Sequence, residues 1–491
     1  MDVEVLYGIG IAIYMAGMLA VGYYTAKVAR TAEEYIVAGR RMPIWLCTAT
    51  LFATWFGGCT ALGGAGTAYV EGIWSTQDAW GVIPDPFGAG LCLIIAGLFF
   101  MHKLRRMKLL TLSDFYLVRF GKLVQTLVSV LLISAFIFWL AVQFVALGKV
   151  LEGVLGWSYE LSIVVSALVT WAYTIMGGLW AVALTDFFQM IILIVGIAIA
   201  IVYALPMAGG LEAIPAEKLQ FFPTEYTFNA WLAWIAAWIT IGLGSIPTPD
   251  LMQRALGGKD EKTVRWSAII SGLMYWTIGL LPILMGLLGV ALVERGIIPT
   301  EPLEEDPELL FPLFIKYTVP PAVGVMIVGG LLAAIMSSAD SAMLAPATIL
   351  AKNIARDLFK PDMSDRSLVL ASRICITLLT AVSLTIGLTY PYVYELNVFS
   401  FDLILAGLFV PLALGMYWKK ANEVGAIAGM VSGMAFRVLA AGFIEGFTFE
   451  GITYPTTWYY YTVFSPVIAA AVMIVVSLAT QKVNPPKQAT T

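Results

Sequence analysis

Apolar residues run along this chain in blocks of about twenty, separated by short polar connections. A helix needs about 20 mostly apolar residues to cross the hydrocarbon core of a bilayer. About thirteen segments reach that length, at approximately 4–26, 44–69, 79–101, 123–150, 160–176, 179–204, 230–250, 266–292, 320–349, 369–388, 398–418, 424–444 and 458–480. The pattern predicts an all-α polytopic membrane protein of about thirteen transmembrane helices. The longest polar stretches, near 205–228 and 293–319, are too short for a soluble domain. The first apolar run, Val5 to Tyr24, has neither a basic leader nor a small-x-small cleavage site, so it reads as a retained helix. Leu109–Lys122 reads as a short amphipathic cytoplasmic segment, and the tail Gln481–Thr491, with Pro485-Pro486, as disordered.

The polar connections alternate in charge. Basic residues follow the first span (Lys27, Arg30, Arg40, Arg41), the third (Lys103, Arg105, Arg106, Lys108) and the seventh (Arg254, Lys259, Lys262, Arg265). They also follow the ninth (Lys352, Arg356, Lys360), the eleventh (Lys419, Lys420) and the last (Lys482, Lys487), whereas the stretch Glu294–Glu308 is acidic. The positive-inside rule then predicts a cell (inner) membrane protein with its N-terminus outside and its C-terminus in the cytoplasm.

Composition narrows the function. Charged residues make up 12% and hydrophobic ones 60%, against about 25% charged in a soluble domain. A net charge of -4 gives no footprint for nucleic acid. The single histidine, His102, lies in a basic connection, and the four cysteines sit unpaired inside apolar runs. Neither a catalytic triad nor a histidine metal centre can be assembled, so an enzyme is not expected. A channel filter of repeated polar loops is also missing from the sequence.

Two spans carry helix-breaking chemistry. The second holds Ala53-Thr54-Trp55-Phe56-Gly57-Gly58 and then Gly63-Gly64; the seventh holds Gly242, Gly244, Pro247 and Pro249. They lie five spans apart, each opening a block of five. Interrupted helices in corresponding positions of two halves point to an inverted-repeat transporter with its site near the midplane. For any one glycine, close helix packing is the commoner explanation; the pair of interrupted spans is what carries the reading.

Ionisable residues at membrane depth are functional candidates because burying them there is costly. Asp186 falls in the sixth span and Asp340 in the ninth; a buried structural hydrogen bond is the alternative for Asp186. Asp85, in Pro84-Asp85-Pro86, and Asp402 lie near span ends and read as partly hydrated interfacial groups. Arg437 reads as a snorkelling or structurally paired residue. Ala334, Ser337, Ser338 and Ser341 recur at i, i+3, i+4 and i+7, one face of a helix. Hydroxyls and a carbonyl there suit a hard cation, and a serine-lined helix contact suits them as well.

Gly177-Gly178-Leu179-Trp180-Ala181-Val182 with Thr185-Asp186 and Gln189, and Ala333-Ala334-Ile335-Met336-Ser337-Ser338, resemble two core helices of the solute:sodium symporters. The resemblance implies a LeuT-type core of 5+5 inverted repeats with one extra N-terminal and two extra C-terminal helices. It divides the chain into 1–43, an N-terminal helix and loop, 44–228 and 229–420, the two five-helix repeats, and 421–491, the last two helices and tail. It implies a sodium-coupled symporter importing a small organic solute, with Na+ as the coupling ion and the bilayer as surroundings.

Carried over position by position, the common sodium site implies carbonyls of Ala53, Phe56 and Ala334 and hydroxyls of Ser337 and Ser338. A second sodium site, found in some members, implies Asp186, Ser337, Asp340 and Ser341. Phe138-Trp139, Met336–Ser341, Asp402-Leu403 and Ala428-Gly429-x-Val431-Ser432-Gly433 resemble the high-affinity choline transporter branch. On that likeness Trp55, Thr60, Trp139, Thr248 and Ala89 line the solute position, with Thr248 and Ala89 standing where that branch has aromatic residues. Half an aromatic cage is thus replaced, and the expected solute is a zwitterion, amine or similar molecule rather than choline. A proton-coupled symporter and a transporter of a small carboxylate are the alternative readings.

Overall fold

The structure is a computed structural model that describes residues 3–25, 37–74, 79–175, 179–442, 447–449, 452–454 and 458–487. Gly177-Gly178 of the family-like motif lie outside the described residues, as do Lys27 and Arg30. The fold is all-α apart from a small hairpin that pairs Phe447–Phe449 with Ile452–Tyr454.

The helix Lys122–Leu155 shows why the chain is helical. Its 34 residues are apolar on every side. Such a surface must meet protein or lipid, and in lipid each backbone N–H and C=O has to be bonded within its own segment. The helix stops at Gly156, whose φ of 68° supplies a left-handed cap. Nine helices among the described residues are long and apolar enough to cross a membrane, and eleven if each of two bent pairs is one span. Val3–Thr25 and Tyr159–Thr174, where two more spans were expected, contain only shorter apolar stretches. On this measure eleven of the expected thirteen spans are met.

The bent pairs are the two spans with helix-breaking composition. Ile44–Ala53 turns through 53° into Gly58–Val70, and Phe228–Gly244 turns through 47° into Pro249–Gly257. Pro249 takes the first position of the restarted helix, where its missing N–H is not needed. Gly244 lets that break approach a neighbouring backbone, because a Cβ there would collide with the Phe401 carbonyl. Both breaks face the helix Pro321–Ile349, which is buried without interruption from Gly330 to Ile349.

Two polar seams tie the ends of this bundle together. On the face carrying the basic connections, Arg105 donates to the carbonyls of Gly258 (2.5 Å) and Lys259 (3.1 Å), and Arg106 pairs with Glu261 at 2.7 Å. Nearby, Lys352 and Asn353 both reach Asp114. Asp114 also closes a capping box with Thr111 at the start of the helix Leu112–Arg119. Most of that helix is buried, while Leu117 and Val118 are exposed.

The tail also departs from expectation. Arg119 donates to the Lys487 carbonyl at 2.8 Å, and Lys487 Nζ donates to the Phe120 carbonyl at 2.6 Å, so residues up to 487 are docked. On the opposite face, Lys149 is buried between Glu308 (2.5 Å) and Asp306 (2.6 Å). Glu308 also accepts from the backbone N–H groups of Val393 (3.0 Å) and Tyr394 (2.9 Å) at the start of the helix Val393–Ile404. Burial pushes the Glu308 carboxyl above its ordinary range, and the Lys149 ammonium opposes that push.

Candidate functional site

The first break meets the helix Pro321–Ile349 through oxygen atoms. Ser338 Oγ lies 3.5 Å from the Ala53 carbonyl, where the first half-helix ends, and 3.2 Å from the Ala334 carbonyl on its own helix. Gly57 permits this approach: a Cβ there would stand 2.8 Å from Ser338 Oγ and 3.2 Å from the Ala334 oxygen. Carbonyl and hydroxyl oxygens converging at a helix break, with no room for a side chain, are the donor set a hard monovalent cation takes. Phe56 lies in the same break, its ring stacked on Phe52 at 4.7 Å. Ser337, expected in this group, turns the other way and donates to Asp186.

Asp186, Ser337, Asp340 and Ser341 are all buried as well. Asp186 accepts from Ser337 and, at 2.5 Å, from Thr50. Asp340 accepts from Thr174 on one oxygen, while the other has no partner among the described residues. Arg254, counted from sequence among the basic residues after the seventh span, is instead 1% exposed and reaches into this group. It donates to Ser341 Oγ, to Thr50 Oγ1 at 3.2 Å and to the Asp250 carbonyl at 3.1 Å. The signal that could have found it is its place seven residues after Pro247, on the restarted half of a broken helix rather than in a loop.

A second cluster lies beside the break. Trp55, Cys59, Asp85, Ala89, Trp139, Gln143, Ile241, Asn397 and Phe401 enclose a void of about 10 Å³, room for about one water. The rings of Trp55 and Trp139 flank Phe401 at 6.1 and 6.2 Å. Trp55 Nε1 donates to Asp250 at 2.8 Å, which fixes the indole on the second break. Of the solute positions expected, Trp55, Trp139 and Ala89 line this void. Thr60 stands behind it and donates to Asp85, 2.9 and 3.0 Å from the two carboxylate oxygens. Thr248 is not among the lining residues; it immediately precedes the helix Pro249–Gly257, and its hydroxyl donates to the Ser245 carbonyl at 2.8 Å.

Asp85 and Asp402 correct the sequence reading, since both are 3% exposed rather than interfacial and hydrated. Asp402 pairs with Arg437 and accepts from Thr462 at 2.8 Å, at one wall of a separate cavity of about 540 Å³. Gln143, Asn397 and Phe401 were not singled out from sequence. One amide or one more ring inside an apolar span breaks no periodicity, so only packing reveals them.

The comparisons agree with this architecture. The chain is 29% identical over 445 residues to the high affinity choline transporter 1 of Homo sapiens, covering 88% of this chain and 76% of that protein. It is 29% identical to the sodium/pantothenate symporter of Haemophilus influenzae, covering 83% and 84%. It is 25% identical to the osmoregulated proline transporter OpuE of Bacillus subtilis, covering 89% and 88%. The fold matches that of a substrate-bound, outward-open Na+-coupled sialic acid symporter with a TM-score of 0.83 at 20% identity, over 99% of both chains. That is the LeuT-type fold that the family resemblance implied. The model of the sodium:solute symporter family matches residues 35–433. The chain therefore belongs to that family, and it is a multi-pass membrane symporter that imports a small solute with Na+ as its coupling ion.

Proposed function

We propose that the imported solute is a small molecule carrying a protonated, hydrogen-bond-donating amine. The observation that carries this reading is the buried Asp85 carboxylate beside the rings of Trp55, Trp139 and Phe401. Thr60 gives Asp85 one shared proton, and among the described residues no lysine or arginine is in ion-pair contact with it. A buried carboxylate without a counter-charge is expensive. An ammonium arriving from solution supplies the charge and the N–H groups, and aromatic faces hold its carbon atoms. A quaternary ammonium offers no N–H, and Ala89 removes one wall of an aromatic cage. A solute with a carboxylate and no amine would add a second negative charge, which disfavours it.

In this reading the coupling sodium is held by the carbonyls of Ala53, Phe56 and Ala334 and the hydroxyl of Ser338. Ser337 joins them only if its side chain leaves Asp186. Trp55 links the two sites, because it lies between Ala53 and Phe56 and its ring lines the solute void. Repeats at 44–228 and 229–420 would place the two breaks as symmetry mates. The void of about 10 Å³ is too small for any organic solute, so binding requires the half-helices around it to move apart.

The test is a thermal-shift and uptake panel with and without sodium. Small primary and secondary amines and amino acids should stabilise the protein and be taken up. Choline should act weakly and simple carboxylates not at all. A panel in which carboxylates lacking an amine bind and amines do not would overturn the amine reading.

Two further outcomes follow from the same proposal. Each positive charge crossing the membrane gains about 2.3 kcal/mol per 100 mV, so uptake should be electrogenic. A solute-evoked inward current on a solid-supported membrane, lost when sodium is replaced by potassium, is expected; sodium-dependent uptake that moves no charge would contradict it. The basic connections place their face in the cytoplasm. Single cysteines at Glu304 and Lys259, in a background lacking Cys47, Cys59, Cys92 and Cys375, should label from opposite sides with an impermeant maleimide. Labelling at Lys259 from outside would refute this orientation.

A further inference from the structure

We infer that the Arg254 guanidinium is a resident cation in the place where a second sodium ion is expected, so that this chain binds one sodium ion rather than two. The inference rests on the sodium-symport reading of the first site.

The oxygen atoms of the second set are already committed. Ser337 Oγ donates to one oxygen of Asp186, and Thr50 Oγ1 donates to the other at 2.5 Å. Thr50 Oγ1 in turn accepts from Arg254 Nε at 3.2 Å. Ser341 Oγ accepts from Arg254 Nη2 and donates to the Ser337 carbonyl at 3.0 Å. The third guanidinium nitrogen, Nη1, donates to the Asp250 carbonyl at 3.1 Å. Each nitrogen of Arg254 thus has an acceptor, and the side chain is wholly enclosed. Asp340, the remaining member, faces Thr174.

The chemistry favours this occupant. Two buried carboxylates, Asp186 and Asp340, need a compensating positive charge. A guanidinium stays protonated, and its planar fork meets several oxygens at once. A sodium ion placed among the same oxygens would displace the bond to Ser341 and stand against a fixed like charge in a dry interior. The first site carries no such competitor, since Arg254 donates to Thr50, Asp250 and Ser341 and to none of Ser338 Oγ and the carbonyls of Ala53 and Ala334. The side chain that fills the second position grows from Pro249–Gly257, the half-helix after the second break. A soluble ion in that position would arrive and leave with each cycle; Arg254 stays with its helix.

Sodium binding to the purified full chain, counted by 22Na+ scintillation proximity and by calorimetry, tests this. The wild-type protein should bind one sodium ion per chain, and uptake should depend on sodium with a Hill coefficient near one. Arg254→Gln should raise the count to two and the coefficient towards two, while Arg254→Lys should leave both near one. Two ions bound to the wild-type protein would overturn the inference whether or not either variant folds. A folded Arg254→Gln protein that still binds one would overturn it too, leaving the first site standing. A wild-type protein that binds no sodium would overturn both the inference and the site on which it rests.

Discussion

Asp85→Asn is expected to weaken binding of the proposed amine solute about ten- to hundredfold, while the sodium concentration giving half-maximal effect changes by less than about threefold. The change removes the negative charge and keeps the shape, so Thr60 retains an acceptor at the position it now contacts at 2.9 Å. What disappears is a charge-assisted hydrogen bond, about 1.5–3 kcal/mol, and each 1.4 kcal/mol is about tenfold in affinity. In the proposed reading Asp85 belongs to the solute site and Ser338 to the sodium site; Asp85 lines the void beside Trp55, and Ser338 Oγ meets the Ala53 carbonyl, with no atom shared between them. Calorimetric titration of the purified variant with the amines found in the panel, at saturating sodium, reads the effect directly. Unchanged amine affinity would remove Asp85 from the solute site, and equal losses for the solute and for sodium would mean that the residue is structural.

Gly57→Ala is expected to raise the half-maximal sodium concentration by about tenfold or more. The added methyl would stand 2.8 Å from Ser338 Oγ, 3.2 Å from the Ala334 oxygen and 3.3 Å from the Ile335 Cα, and two of these three atoms belong to backbone that cannot swing aside. Overpacking of this kind costs about 1–3 kcal/mol, spent here where the ion would sit. Ser338→Ala provides the complementary variant, because it removes an oxygen and adds nothing. Both should lose the thermal stabilisation that sodium chloride gives relative to potassium chloride, since a ligand stabilises only the state that binds it. Retention of that stabilisation at the wild-type sodium concentration in both variants would dismiss this break as the ion site.

Particular residues show what the sequence could and could not reveal. The two helix breaks were legible because glycine and proline cluster at corresponding places in two apolar blocks five spans apart, and they bend where expected. The serine face was legible from its i, i+3, i+4, i+7 spacing, but its division of labour was not. Ser338 turns to Ala53 while Ser337 turns to Asp186, and that depends on which neighbours each side of the helix meets. Asp85 was misplaced because distance from the end of a hydropathy block measures depth only for a regular helix. Here the residue before Pro86 has extended backbone, with φ −143° and ψ 117°, and contacts Thr60 in the half-helix that follows the first break. Arg254 was misread for a related reason: a basic residue after an apolar block is a loop residue only if the chain leaves the membrane there. The bend at 245–248 instead turns the chain back into the protein.

The seam of Lys149, Asp306 and Glu308 bears on what it would cost to part the elements it joins. It holds the start of the helix Val393–Ile404 against the connection before Pro321 with charges set beside the buried Val393 and Leu310. Separating an apolar plug exposes surface that water does not welcome. Separating this seam returns one ammonium and two carboxylates to hydration, which recovers much of what breaking the ion pairs loses. Such a latch can be firm when dry and still cheap to release, because the first water molecules to enter do part of the work of opening it.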